Sequence, residues 1–150
     1  MTAAEDATPA LLMTKPTWLI SQVSAYAHGV MAARLGKAGA RGYHFRVLAA
    51  LAEFGSASQA SLGRHAEMDR SDVTATVGEL ASADLVRRVT DADDRRRNVV
   101  TITDAGMARL GELDGILAAV QDEVLGPLSA GERSLLTGLL TRLLDRGTAE

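Results

Sequence analysis

The 150-residue sequence contains no cysteine. That absence excludes disulfides, thiolate zinc sites, cysteine nucleophiles and thiol redox sensing together. It fits a reducing compartment, and the expected location is the cytoplasm. Aromatic residues are only 3% of the chain. No apolar run reaches the roughly 20 residues that a membrane span needs, and the opening MTAAEDATPALLMTK lacks the basic start and long apolar centre of a signal peptide. No membrane partner is expected. Positive charge is not in excess either: 19 acidic against 16 basic residues leave a net charge of -3, so no broad positive field advertises nucleic acid. Catalytic signatures are also missing. There is no nucleophile elbow, phosphate-binding glycine loop or dinucleotide fingerprint. His28, His44 and His65 have no i,i+4 partner with which to hold a metal. The adjacent carboxylates Asp93 and Asp94 fall on a turn that gives them no division into acid and base. Neither an enzyme, nor a metal site, nor a cofactor is expected.

Helical periodicity is what the chain does have. Residues 1–15 are expected to form a flexible arm and residues 16–150 a single domain. Pro16 suits a first helical turn, and from there to about Gly36 the residues Leu19, Ile20, Val23, Ala27, Val30 and Met31 share an arc of about 120°. A second apolar arc holds Trp18, Ala25, Gly29, Ala32 and Ala33, so this helix asks for two neighbours. Tyr43 to Phe54 reads as a second helix, stopped by Gly55. Ser58 offers an N-cap to a short helix with Leu62 and Ala66 inward, and Asp69, with Asp72 three residues on, caps another that runs to about Ala83. These two form a helix-turn-helix. The β-branched stretches on either side of Asp91–Asn98 predict a hairpin. Asp104 is expected to cap a long helix ended by Gly126-Pro127, and Ser129 with Glu132 to open a last one as a capping box. Its Leu135, Leu136, Leu139, Leu140, Leu143 and Leu144 exceed what a terminal helix of a small monomer buries, and they predict a homodimer.

On the helix from Asp69, periodicity turns Val73, Val77 and Leu80 to the core. The opposite face then carries Ser71, Asp72, Thr74, Ala75 and Gly78, and Arg70 at the helix start joins them as a candidate DNA contact. Small and hydroxyl side chains let such a face approach a groove, where Ser and Thr bond base edges or phosphates and an alanine methyl meets thymine. Asp72 opposes phosphate unless it accepts from a cytosine amino group or pairs with Arg70. The hairpin is the sharper signal. Residues 87–97 hold five arginines against three aspartates, a local +2, and the consecutive Arg95, Arg96 and Arg97 suit a narrow minor groove.

The segment Asp69-Arg-Ser-Asp-Val-Thr-Ala-Thr-Val-Gly-Glu-Leu-Ala-Ser-Ala-Asp-Leu-Val, the turn Asp91-Ala-Asp-Asp-Arg-Arg and the closing Val100-Thr-Ile-Thr-Asp-Ala-Gly106 together resemble the winged helix-turn-helix of the MarR family of bacterial transcriptional regulators. The resemblance extends over nearly the whole chain from residue 16. It implies a mainly α fold with a small β-hairpin wing: a winged helix-turn-helix over about 43–103, with N- and C-terminal dimerisation helices at about 16–36 and 104–146. It also implies a homodimer on double-stranded operator DNA, most often a repressor, released by a small aromatic or acidic effector. By register with the family's wing, Arg96 is the tip residue and Asp94 its orienting carboxylate, with Arg95 and Arg97 reaching flanking phosphates. The family's usual effector position points to Trp18, Tyr26, His28, Tyr43, His44 and Arg46. The chain departs from the pattern at Asp84, where glycine is usual, at Gly78 inside the helix, and in the acids Asp72 and Glu79. The alternative is a winged-helix module for protein partners with no DNA target.

Overall fold

The computed structural model describes residues 7–145. Its elements run α1 (Ala10–Met13), α2 (Pro16–Lys37), α3 (Gly42–Phe54), β1 (Ala57–Ser58), α4 (Gln59–Ala66), α5 (Arg70–Ser82), β2 (Val86–Thr90), β3 (Asn98–Ile102), α6 (Asp104–Val124) and α7 (Ala130–Leu144). This is the mainly helical winged helix-turn-helix expected, with two additions. Within the expected arm, a single helical turn forms at α1, while residues 1–6 lie outside the described residues. Ahead of the helix-turn-helix, the two-residue β1 joins the hairpin, making a three-stranded antiparallel sheet of order β1-β3-β2.

The chain divides into two compact units, Met31–Ala118 and the flanking segments that end at Val30 and resume at Ala119. The central unit closes its own core. Val47, Leu48 and Leu51 of α3, Leu62 of α4, Val73, Val77 and Leu80 of α5, Val86 and Val100 of the sheet, and Leu35 and Leu113 of the long helices are all buried in one cluster. Each such side chain contributes roughly 1.5–3 kcal/mol by leaving water. The sheet register sets Val86 opposite Ile102 and Val89 opposite Val99, with Ala57 and Ser58 opposite Val100 and Val99 on the other edge of β3.

The junction from β3 to α6 explains the Ile102-Thr-Asp-Ala-Gly106 motif. The cap of α6 is Thr103 rather than the expected Asp104, which is the first helical residue. The Thr103 hydroxyl accepts from the Gly106 N–H at 3.0 Å and donates to the Asp84 carbonyl at 2.7 Å. One hydroxyl therefore ties the end of α5 to the start of α6. A Cβ on Gly106 would overlap the Leu85 carbonyl and lie 2.7 Å from Ile102 Cγ1, so only glycine fits this crossing. Asp84 itself has φ 58°, the left-handed conformation that aspartate tolerates better than most residues, which accounts for its standing where glycine is usual.

The flanking unit is built differently. Ser129 and Glu132 form the expected reciprocal capping box at the start of α7, at 3.2 and 2.9 Å, and Arg133 bonds Asp122 of α6 at 2.8 Å. Yet α7 buries none of its residues. Leu135, Leu139, Leu140, Leu143 and Leu144 are exposed, Leu144 to 83%. Leu11 and Met13 of α1 and Ile20, Val23 and Tyr26 of α2 are exposed too. The α2 face expected to be buried is thus only half covered within the chain: Leu19, Ala27, Val30 and Met31 are half-buried, and Leu35 is the α2 residue fully enclosed.

Candidate nucleic-acid interface

The helix-turn-helix is set by its turn. Ser58 caps α4, its hydroxyl accepting from the Ser61 N–H at 3.2 Å. Glu67 ends that helix in the left-handed conformation, φ 51°, and Met68 N–H closes the turn onto the Gly63 carbonyl at 2.9 Å. Asp69 occupies the N-cap of α5 with extended backbone, but its side chain makes no capping bond. The start of α5 thus keeps N–H groups unclaimed by a cap, a place where an anion is favoured. A hollow of about 450 Å³ lined by Gln59, Ala60, Gly63, Arg64, Met68 and Arg70 lies between α4 and this start.

Along α5 the periodicity reading holds: Val73, Thr76, Val77 and Leu80 are buried, while Arg70, Ser71, Thr74 and Ala75 are exposed and Asp72 is half-exposed. Thr74 returns its hydroxyl to the Arg70 carbonyl at 2.9 Å; its methyl and a free lone pair remain for an approaching group. Arg70 and Asp72 form no ion pair with each other among the described residues. Gly78 lies where the Arg88 guanidinium of β2 crosses α5. A Cβ there would sit 3.6 Å from it, an ordinary contact, so space does not demand that glycine.

Two Asx turns shape the wing. The Asp91 carboxylate accepts from the Asp93 N–H and the Asp94 carboxylate from the Arg96 N–H, each at 3.0 Å. Asp91 N–H to the Arg97 carbonyl, 2.8 Å, and Arg97 N–H to the Asp94 carbonyl, 3.0 Å, close the loop. Asp94 therefore orients Arg96 through its backbone, not through its guanidinium. Arg95 and Arg96 are exposed, and neither side chain meets an acceptor among the described residues. Arg97 differs from both: its guanidinium turns inward and donates to the Ser58 hydroxyl at 3.0 Å.

The acid that seemed out of place on α5 has a structural role. The Arg41 guanidinium grips both Glu79 oxygens at 2.6 and 2.7 Å, and His44 Nε2 donates to Glu79 Oε2 at 2.6 Å. His44 Nδ1 meanwhile accepts the Arg41 N–H at 3.0 Å, capping α3. The His44 bond first, and then the Arg41 bond, hold the Glu79 carboxyl below its ordinary 4.5. Glu79 is thus neutralised against α3. Sequence reasoning missed this clamp, although the i,i+3 pairing of Arg41 and His44 at a helix start was a readable half of it.

The same clamp bears on the expected effector residues. Both His44 ring nitrogens are engaged by the clamp, and its side chain is only 15% exposed. Arg46 lies 5.6 Å over the Tyr43 ring and makes only long bonds, 3.5 and 3.4 Å, to the Ala66 and Glu67 carbonyls. In the flanking unit His28 Nδ1 bonds the Ser24 carbonyl at 2.8 Å, Tyr26 is exposed and Trp18 half-buried. Among the described residues, no group of three His, Asp or Glu is placed to hold a metal ion, and no helix is long and apolar enough to cross a membrane.

The family model described as MarR family matches residues 40–97, the span from the α3 cap to the wing. A probable transcriptional regulator from Pseudomonas aeruginosa, solved by crystallography, superposes with a TM-score of 0.77 at 30% identity, over 88% of this chain and 98% of that one. The chain belongs to the MarR family. The PcaV transcriptional regulator from Streptomyces coelicolor, solved in complex with its natural ligand, matches this MarR-family chain with a TM-score of 0.76 at 25% identity, over 94% and 98% of the two chains. The HTH-type transcriptional repressor NicR from Pseudomonas putida is 32% identical over 101 residues, 67% of this chain and 64% of NicR. The match spans about half of a second curated relative, a putative regulatory protein for the hcr operon from Thauera aromatica, 52% of whose length is covered at 33% identity.

Proposed function

We propose that this MarR-family chain is a homodimeric, sequence-specific DNA-binding transcriptional regulator, acting as a repressor that a small aromatic or acidic effector releases from its operator. The observation that carries the reading is the pairing of two exposed features on one unit. The small outward face of α5, Arg70, Ser71, Asp72, Thr74 and Ala75, stands without apolar cover, and the wing presents Arg95 and Arg96 unpaired. In this reading α5 enters the major groove, where the Ser and Thr hydroxyls reach base edges and phosphates. Arg96 enters the adjacent minor groove, in which negative potential is concentrated. Asp72 accepts from a cytosine amino group. Since the lobe carries seven arginines and eight acids over residues 58–97, affinity arises from a few placed contacts rather than a general field.

Dimerisation is supported by the exposed leucines of α7 and the apolar residues of α1 and α2, which a second copy would cover. Two recognition helices then address successive major grooves about one helical turn, roughly 34 Å, apart. Effector response is supported by the ligand complex of PcaV; Trp18, Tyr26, His28, His44 and Arg46 are the residues proposed to meet the effector, His44 from within its clamp. A ligand that binds better to a dimer with the wrong half-site spacing releases DNA by that difference in affinity.

The test begins with a duplex selected from a random pool by the wild-type chain. Arg96→Ala is expected to weaken its binding more than tenfold in an anisotropy titration while the oligomeric state is unchanged. Equal affinity for the two proteins defeats the wing assignment. Failure to select any duplex at low salt favours the protein-interaction module instead.

A further inference from the structure

The wing and the first helix of the helix-turn-helix are joined by a hydroxyl relay that no motif announces. Arg97 immediately precedes β3, and β1 pairs with β3 so that Ser58 faces Val99. That register brings the Arg97 guanidinium within reach of the Ser58 hydroxyl, 3.0 Å away. Ser58 Oγ also accepts from the Ser61 N–H at 3.2 Å and donates to Ser61 Oγ at 3.2 Å. One donated and two accepted bonds use everything a serine hydroxyl has. Ser61 Oγ in turn accepts from Arg64 at 3.0 Å. The sequence of donors is therefore fixed: Arg97 to Ser58, Ser58 to Ser61, Arg64 to Ser61. Ser58 is 9% exposed, and hydrogen bonds to a charged donor in such a setting are stronger than those at the surface.

We infer that Arg97 is a positioning residue of the wing and not one of its DNA contacts. By donating to the capping serine of α4 it fixes the base of the wing to the helix-turn-helix, so that the reach of Arg96 and the seating of α5 are set together. Of the three consecutive arginines, two project from the wing and the third anchors it. The affinity part of this inference rests on the DNA-binding reading; the structural part does not.

The test uses Arg97→Ala, Ser58→Ala and the double variant in the full chain, each checked for wild-type helical content. Two readouts are needed. In the DNA-free protein, amide exchange at Asp91 and Arg96, whose N–H groups hold the wing loop, is expected to speed up about three- to tenfold in each single variant, with no further gain in the double. On the selected duplex, Arg97→Ala is expected to weaken binding about three- to tenfold with the slope of log affinity against log salt unchanged, and to cost nothing more in the Ser58→Ala background. A phosphate contact predicts the opposite: a slope shallower by about 0.9 for the lost phosphate, a loss additive with Ser58→Ala, and unaltered exchange. Those results would overturn the inference. If the wild-type chain binds no duplex, the DNA-binding reading fails by itself, and the exchange experiment still decides whether Arg97 anchors the wing.

Discussion

The two units of this chain solve the problem of apolar surface in opposite ways. In Met31–Ala118 the leucines and valines at helical and strand spacing enclose one another, and Leu35, Val47, Leu48, Leu62, Val77, Val100 and Leu113 have no exposed surface. In the flanking segments the same residue types at the same spacing stay open: Leu135 is 64% exposed and Leu143 49%. Periodicity records which face of a helix is apolar. It does not record whether the cover comes from the same chain. The central unit supplies its own cover and leaves a polar outer face on α5, whereas the flanking unit has the composition of a core cut in half.

The largest expected effect lies in the closed core. Leu48→Ala should lower unfolding stability by about 2–5 kcal/mol, the cost of a cavity among fully enclosed neighbours, read from the denaturation midpoint. Gly106→Ala should follow at about 1–3 kcal/mol, because the new methyl meets the Leu85 carbonyl and Ile102 and the α6 start must shift. A smaller shift there would show that the Thr103 crossing yields more readily than its contacts imply.

Leu139→Glu addresses the open unit. It should leave the stability of a dilute monomer within about 0.5 kcal/mol, as surface changes do, yet weaken self-association at least tenfold in sedimentation equilibrium. A large loss of monomer stability would mean that α7 is covered within its own chain after all. The smallest effect belongs to Glu79. Its folded pKa is lowered, so its contribution is complete above the unfolded value, near the ordinary 4.5, and is lost as pH falls through the lower folded value. Because the carboxylate is 48% exposed, the stability difference between wild type and Glu79→Gln should be under about 1 kcal/mol at pH 7 and disappear in acid. A difference that persists below both pKa values would assign the effect to packing instead of charge.

Much of this molecule was legible because the local signals agree with one another. The buried stripe of α5, the Ser58 and Ser129 caps and the hairpin all follow from periodicity and capping chemistry. What escaped depends on distant pairs. β1 is two residues long and exists only because β3 lies beside it. Asp104 looked like the α6 cap because aspartate favours that position, but Thr103 can both accept from Gly106 and donate to Asp84, which a carboxylate cannot. Glu79 counted as an unfavourable charge on a DNA-facing helix until Arg41 and His44, 38 and 35 residues away, were found on it. Arg97 looked equivalent to Arg95 and Arg96 in a run of three, and only the register of a neighbouring strand separates it from them.

An open apolar unit and a closed, polar-faced one in the same chain support the proposal that two copies of the chain act on one DNA site. Sedimentation of the wild-type chain with the selected duplex over a range of salt tests that claim most directly. The prediction is a complex of two chains per duplex whose affinity falls steeply with rising salt. One chain per duplex, or a dimer that leaves the duplex free at low salt, would contradict it.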